Sequence, residues 1–409
     1  AEALGSAPVT LVAGPPGTGK TAVAVAIVEA WLRQDAEAPI LVATGTHTAK
    51  SLIARQLRER GYLLRDRRRE VFREKHPERS VPVFVETVYM AAVPDHRQLP
   101  RVLIDESSQI TEASALVALG RGCEKLVLIG DPKQLGPISQ LGPFGTARDS
   151  EPGPYSQERE SAFDMVRLRL DRKPVQLSVQ YRMHPTLCQY PSDRFYHGSL
   201  RSADALRDSA RFELPANEFL PAPVVFVDSA RLQGSSEEEL VSLGGARSLR
   251  NRGEAELVSR AVGSLLESGV PRESVAVLTP YSAQRELLAR ALHGRGTAQR
   301  ARRWYERAAL LLQGLDPAEE EPHPRVLTVD GFQGCEVEFV VFSAVRSNAE
   351  GRTGFAGDPR RMCVLLTRAR RALIVVGDRG TLQADEEWRA WLEAAPLREV
   401  DAAPSGEKK

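Results

Sequence analysis

Val9-Thr10-Leu11-Val12-Ala13 runs directly into Gly14-Pro15-Pro16-Gly17-Thr18-Gly19-Lys20-Thr21, and that turn into Ala22-Val23-Ala24-Val25-Ala26-Ile27-Val28. This is the G-x-x-x-x-G-K-[ST] phosphate loop in the setting it needs, between a buried strand and a helix. The glycines let successive backbone N–H groups curl around phosphate oxygens, and the helix N-terminus adds its positive dipole. Gly14, Pro15, Gly17, Thr18 and Gly19 are read as the cradle. Lys20 supplies a mobile cation for the β- and γ-phosphates, and Thr21 a hydroxyl where Mg2+ would be bound. The segment predicts binding of a nucleoside triphosphate.

Further along, Pro39–Ala43, Val81–Val85, Arg101–Ile104 and Leu126–Ile129 read as buried parallel strands separated by helix-compatible stretches. That alternation predicts a doubly wound α/β sheet. Gly142–Gln157 is rich in Gly, Pro and Ser and reads as a surface loop. A second set of strand candidates follows: Pro174–Leu177, Val224–Val227, Val275–Leu278, Arg325–Val329, Phe339–Ala344 and Ala372–Val376. Two domains are therefore expected, over 1–171 and 172–396, with an insertion at 295–324 and a disordered polar tail at 397–409. The insertion runs from basic to acidic around Trp304 and Tyr305, and Arg65, Arg67, Arg68 and Arg69 form a compact basic cluster. Each is read either as a solvated helical excursion or as a contact for nucleic acid or a partner.

The chain has 409 residues, enough for two α/β cores, with 42% hydrophobic and 27% charged residues, ordinary globular values. Its 55 basic and 54 acidic residues leave a net charge of +1. A general basic coat is thus excluded, and any nucleic-acid surface must be a local groove. Cys123, Cys188, Cys335 and Cys363 are scattered without a C-x-x-C pair, which argues against a disulfide framework or a zinc site. No apolar run approaches a membrane span and no secretory pattern opens the chain. A reducing intracellular setting, cytoplasmic or nuclear, is expected, with no membrane association. Because Ala1 stands almost inside the first strand, the chain is expected to be a fragment of a longer protein.

Arg101-Val102-Leu103-Ile104-Asp105-Glu106 is an apolar strand ending in two adjacent carboxylates. At the C-terminal edge of a strand neighbouring the phosphate loop, Asp105 is suited to hold Mg2+ and Glu106 to orient and deprotonate the attacking water. Leu126–Ile129 opens into Gly130-Asp131-Pro132-Lys133-Gln134-Leu135-Gly136-Pro137, where Gln134 could reach the γ-phosphate and report its presence.

Gly14–Thr21, Asp105–Gln109 and Gly130–Pro137 resemble motifs I, II and III of superfamily 1 helicases. Gln180-Tyr181-Arg182-Met183-His184-Pro185, Tyr190-Pro191-Ser192, Phe195–Leu200, Thr279-Pro280-Tyr281-Ser282-Ala283-Gln284, Val329–Glu336 and Leu366-Thr367-Arg368-Ala369-Arg370 narrow the resemblance to the up-frameshift group. That group contains the nonsense-mediated-decay helicase, the immunoglobulin mu-binding-protein helicase and senataxin. The similarity runs from about Val9 to about Asp378, with its motifs in the family's order.

The resemblance implies two RecA-like domains with ATP in the cleft between them and a single strand of RNA or DNA across their tops. It assigns Arg182 and Arg368 as arginine fingers, a role suited to planar guanidinium groups beside a transferring phosphoryl group. It further assigns Tyr181 to the adenine, Glu336 to the ribose hydroxyls and Gln134 to γ-phosphate sensing. Thr46, Thr48, Thr87 and Thr279 match motifs that meet strand phosphates, contacts that position a strand without reading its sequence. Gln284 also falls in a family motif.

The chain departs from the family's pattern in three places. Gly45-Thr46-His47 stands where Pro-Ser-Asn is usual, Cys335 where a basic or small residue is commoner, and Cys363 where Asn is usual. The reading that results is an ATP-dependent, 5′-to-3′ translocating helicase core, monomeric, with protein partners reached through an upstream region or the insertion at 295–324. The alternative is an ATP-gated nucleic-acid clamp or scaffold with little unwinding. A small-molecule kinase or GTPase would share the phosphate loop but leaves Gln180–Pro185 and Leu366–Arg370 without a purpose.

Overall fold

The computed structural model describes residues 2–62, 64, 83–91, 98–137, 160–206, 212–232, 234–241, 247–294 and 324–400. The basic cluster at 65–69, the loop at 142–157, residues 295–323 of the insertion and residues 401–409 of the tail lie outside them. The chain forms two compact units, Ala1–Tyr181 and Arg182–Lys409.

Among the described residues, the first unit is built on six strands: β1 (Val9–Ala13), β2 (Ile40–Thr44), β3 (Val83–Thr87), β4 (Arg101–Asp105), β5 (Lys125–Gly130) and β6 (Val175–Gln176). They pair in parallel in the order β3-β2-β4-β5-β1-β6. The near-continuous apolar runs follow from burial on both faces. Leu11, Leu41, Phe84, Val102, Ile104 and Leu128 fill one face, while Val12, Val42, Val85, Leu103, Val127 and Ile129 pack on the other with Trp31 of α1 (Lys20–Gln34). The residues of each strand alternate between the two cores, as a period of two requires.

Two sequence expectations need correction here. The strand bearing the paired carboxylates is not next to the phosphate-loop strand, because β5 lies between β1 and β4. Pro174–Leu177, expected to open the second domain at 172, instead contributes β6 to the first sheet, with Val175 opposite Val12. Its apolar character suits either sheet; pairing with β1 selects the first.

The second unit repeats the plan among its described residues. Strands β7 (Val224–Asp228), β10 (Val275–Thr279), β11 (Arg325–Thr328), β12 (Val337–Ser343), β13 (Ala369–Gly377) and β14 (Arg398–Val400) form a parallel sheet in the order β11-β10-β12-β13-β7-β14. The expected disordered tail from 397 is overturned at Arg398–Val400, which pairs with Val225–Val227. Val400 packs against the core and Glu399 forms an ion pair with Arg379. An antiparallel ribbon, β8 (Glu237–Val241) with β9 (Arg247–Asn251), has no counterpart in the sequence reading. Its strands lack apolar alternation; beside the backbone ladder, Glu238 pairs with Arg250 at 2.8 Å and with Arg252 at 3.0 Å. Among the described residues no helix is long and apolar enough to cross a membrane.

Candidate active site

The phosphate loop leaves β1 with Gly14 N–H donating to the Gly130 carbonyl of β5 at 2.9 Å. Thr18 Oγ1 donates to the Pro15 carbonyl at 2.7 Å, closing the turn internally. Gly17 (φ 74°) and Gly19 (φ 82°) occupy the left-handed region, which explains glycine at both. Gly19 also caps α1 without a side chain, so the first amides of that helix receive no capping oxygen from it. Lys20 Nζ donates to the Gly14 carbonyl at 2.8 Å. Tyr181 N–H donates to the Gly17 carbonyl at 2.8 Å, while its ring is 60% exposed.

Asp105 ends β4 almost completely buried, at 2% exposure. Burial and then the neighbouring Glu106 carboxylate push its pKa up to about 7, against the pull of Lys20. Lys20 and Glu106 are thus each within electrostatic reach of Asp105, although Lys20 follows β1 and the carboxylates stand at the end of the non-adjacent β4. Glu106 itself sits at φ 54°, a strained conformation for a non-glycine residue. It is held there by its own N–H donating to Asp105 Oδ1 at 3.0 Å and by Gln109 Nε2 donating to its carboxylate at 3.0 Å.

The ends of β4 and β5 are stapled by hydroxyls. Ser107 Oγ donates to the Ile129 carbonyl at 2.8 Å, and Asp131 N–H donates to Ser108 Oγ at 3.2 Å. A Cβ at Gly130 would lie 2.9 Å from the Ser108 nitrogen, so this close approach needs glycine. Gln134 is buried, with Nε2 donating to Asp131 Oδ2 at 2.7 Å. Asp131, a motif residue with no role assigned from the sequence, is placed by the fold as a partner of Gln134.

The threonines expected to meet a strand are placed less uniformly. Thr46 Oγ1 accepts from Ala49 N–H at 3.2 Å as the N-cap of α2 (His47–Glu59), and Thr48 lies in the first turn of that helix. Thr87 ends β3 opposite Thr44, and Thr279 ends β10; both are buried. Gln284 is also buried, and its amide is taken up within the second unit: Oε1 accepts from Asn251 N–H at 2.8 Å, and Nε2 donates to the Asn251 carbonyl at 3.0 Å and to Ser343 Oγ at 2.9 Å.

Within the second unit, Glu336 is the centre of an ion-pair cluster. Arg182 and Arg370 both pair with it, and Arg370 also reaches Glu338 at 3.1 Å. Burial would raise the Glu336 pKa, but the two arginines outweigh it and hold the carboxyl below its ordinary range. Arg182 Nη1 also donates to the Thr367 carbonyl at 3.1 Å. Arg368, 2% exposed, donates to the carbonyls of Val364 at 2.9 Å and Cys335 at 3.2 Å and to Thr367 Oγ1 at 3.1 Å. Arg370 has no role in the sequence reading, where it appears only as the second of two arginines flanking Ala369; the fold brings it onto Glu336. Cys363 packs against Tyr196 Oη at 3.3 Å, and Cys335 contributes its carbonyl to Arg368.

Two family models, each described as AAA domain, match residues 159–380 and 1–140. A Regulator of nonsense transcripts 1 homolog from Neurospora crassa is 34% identical over 295 residues, covering 71% of this chain and 24% of that protein. Regulator of nonsense transcripts 1 from Caenorhabditis elegans is 30% identical, covering 96% and 38%. The ATP-dependent helicase upf1 of Schizosaccharomyces pombe is 32% identical, covering 70% and 27%. The chain therefore spans between about a quarter and two fifths of the length of these relatives. A solved structure of Arterivirus nonstructural protein 10 (helicase) with DNA is 16% identical, covers 93% of this chain and 63% of that one, and has a TM-score of 0.48. With one family model spanning more than half of it, the chain belongs to the AAA-domain family and, within that family, to the up-frameshift-like superfamily 1 helicases.

Proposed function

We propose that this chain is the motor core of an ATP-dependent helicase, coupling hydrolysis of Mg2+-bound ATP to 5′-to-3′ movement along single-stranded RNA or DNA. The observation that carries the reading is the convergence of Lys20, Asp105 and Glu106 at one end of the first sheet, beside a glycine-built phosphate loop. Relatives named as ATP-dependent helicases support it over an ATP-gated clamp. In this reading the core works as a monomer inside the cell.

The loop residues Gly14 to Gly19 wrap the phosphates, and Lys20 moves from the Gly14 carbonyl to the β- and γ-phosphates. Asp105 and Thr21 would hold Mg2+. A buried carboxylate whose ionisation is opposed by a second carboxylate is suited to a hard cation. Among the described residues no three His, Cys, Asp or Glu side chains cluster as a metal cage, which fits an ion completed by substrate phosphates and water. When bound, the ion neutralises charge on the phosphate oxygens. Glu106 then acts as base toward the attacking water, and Gln134 senses the γ-phosphate.

Arg182 and Arg368 neutralise the charge that develops during transfer. Tyr181 offers its exposed ring to the adenine. Glu336 accepts from the ribose with lone pairs left over from Arg182 and Arg370, since a carboxylate has about four acceptor sites. Thr46, Thr48, Thr87 and Thr279 meet the strand, by backbone N–H where the side chain is already used as a cap.

The test is steady-state ATPase at fixed low salt without polymer, with oligo-uridylate and with oligo-deoxythymidylate, Lys20→Ala serving as the blank. Stimulation by either polymer, and displacement of a duplex bearing a 5′ single-stranded tail, are expected. ATP turnover equal to that of Lys20→Ala would overturn the reading.

A further inference from the structure

Glu254 belongs to none of the motifs read from the sequence, yet it is fully buried in the first turn of the helix Arg252–Glu267. Its Oε2 accepts from Ser343 Oγ at 2.6 Å and from Val345 N–H at 2.7 Å. Ser343 in turn accepts from Gln284, and Gln284 is tied to Asn251, whose Oδ1 caps the helix by accepting from Glu254 N–H at 3.0 Å. Asn251 Nδ2 donates to the Val345 carbonyl at 3.1 Å. Both backbone polar groups of Val345 are thus fixed by Glu254 and Asn251.

Val345 needs that hold. It is a buried, β-branched residue at φ 72°, where its Cβ is crowded against its own backbone. Such a conformation costs on the order of 1–3 kcal/mol and persists only when its surroundings over-determine it. It turns the chain from β12 into Arg346-Ser347-Asn348, all three of which bond to Glu237 Oε2 of the ribbon at 2.8–3.0 Å. The same ribbon holds the turn after β10: Ala283 N–H donates to Ser248 Oγ at 3.0 Å. Arg346 Nη1 reaches Tyr281 Oη at 3.4 Å, joining that turn to the loop. Both segments lie at the C-terminal ends of the adjacent parallel strands β10 and β12, on the edge where open α/β sheets place their ligands.

We propose that Glu254 is a positioning residue for strand binding by the second unit. Through Ser343 and Gln284 it sets the Thr279–Ser282 turn, and through Val345 N–H it holds the Val345–Asn348 loop in register with that turn. Gln284, accordingly, acts through this network and not by touching the strand. The inference rests on the proposed helicase function and names how one of its binding surfaces is shaped.

The test uses the full chain and measures the oligo-uridylate and oligo-deoxythymidylate concentrations that give half-maximal ATPase stimulation. Glu254→Ala should raise that concentration about tenfold or more while polymer-free turnover and the KM for ATP stay within about twofold. Glu254→Gln should restore near-normal values, because its carboxamide oxygen can accept from both Val345 N–H and Ser343 Oγ. A folded Glu254→Ala protein with an unchanged half-stimulating concentration would overturn the positioning role. Where Glu254→Ala does not fold, Ser343→Ala removes only the hydroxyl relay and should still raise the concentration; no rise overturns the proposal. An unmodified chain that turns over ATP but responds to neither polymer would overturn the strand-binding function itself, and the positioning role with it.

Discussion

Lys20 Nζ and the Gly14 carbonyl are hydrogen-bonded at 2.8 Å, so the cation of the phosphate loop lies folded over the residue that starts the loop. The contact is close enough to dictate residue type. A Cβ on Gly14 would stand 2.4 Å from Lys20 Cγ and 2.9 Å from Cδ. Glycine at this position therefore leaves room for the path the lysine takes.

Gly14→Ala should accordingly displace the Lys20 stem without disturbing the sheet. ATP turnover is expected to fall about tenfold or more, and the melting temperature to change little, since the flexible lysine can move away. Steady-state ATPase beside a thermal melt checks this. A large loss of stability would place the cost in the backbone instead.

Glu106→Gln should retain nucleotide binding and lose about 10²–10⁴-fold in hydrolysis. The carboxamide oxygen can still accept from Gln109, and the backbone bond to Asp105 is untouched, so the strained φ of Glu106 remains supported. Binding of a fluorescent ATP analogue and single-turnover hydrolysis separate the two effects. Normal hydrolysis would remove Glu106 from the chemistry.

Arg368→Lys should cost both rate and stability. A lysine cannot replace the three hydrogen bonds to Val364, Cys335 and Thr367, and hydrogen bonds from a charged donor contribute about 1.5–3 kcal/mol each. Loss of a charge-neutralising arginine adds on the order of 10³-fold in turnover. Denaturant unfolding and ATPase assays read the two separately. Loss of rate with full stability would show that the carbonyl contacts contribute nothing to the fold.

Glu254 predicts a pH dependence of stability. Burial, offset in part by Ser343 and Val345, pushes its pKa from 4.5 up to about 8, and the nearby Asp378 acts in the same direction as burial. Between these values the folded state binds a proton that the unfolded state has released, so stability falls as pH rises from about 4.5 to about 8. The total is on the order of a few kcal/mol. Glu254→Gln should remove this component, and denaturant midpoints from pH 5 to 9 for the two proteins should converge at low pH. Parallel curves would show that Glu254 does not titrate in this range.

The phosphate loop, the two runs of parallel strands and the motif order are legible in the amino-acid sequence. These are local signals: apolar runs buried on both faces, glycines where φ is positive, and Lys-Thr at a helix start. Val9–Ala13 was legible to the residue, and Asp105 and Glu106 were recognisable as a strand-end pair.

Tertiary structure alone decided which strands are neighbours. It set β5 between β1 and β4, took Val175–Gln176 into the first sheet and made Arg398–Val400 an edge strand. Strand pairing depends on hydrogen bonds between residues far apart in sequence, which composition and periodicity do not encode. The ribbon at Glu237–Asn251 has no period-two apolar signal, its strands being rich in charged residues such as Glu238 and Arg250. Glu254 escaped notice because a single glutamate near a helix start looks like a favourable first-turn acid; only packing shows it buried, bonded to Ser343 and supporting the strained Val345.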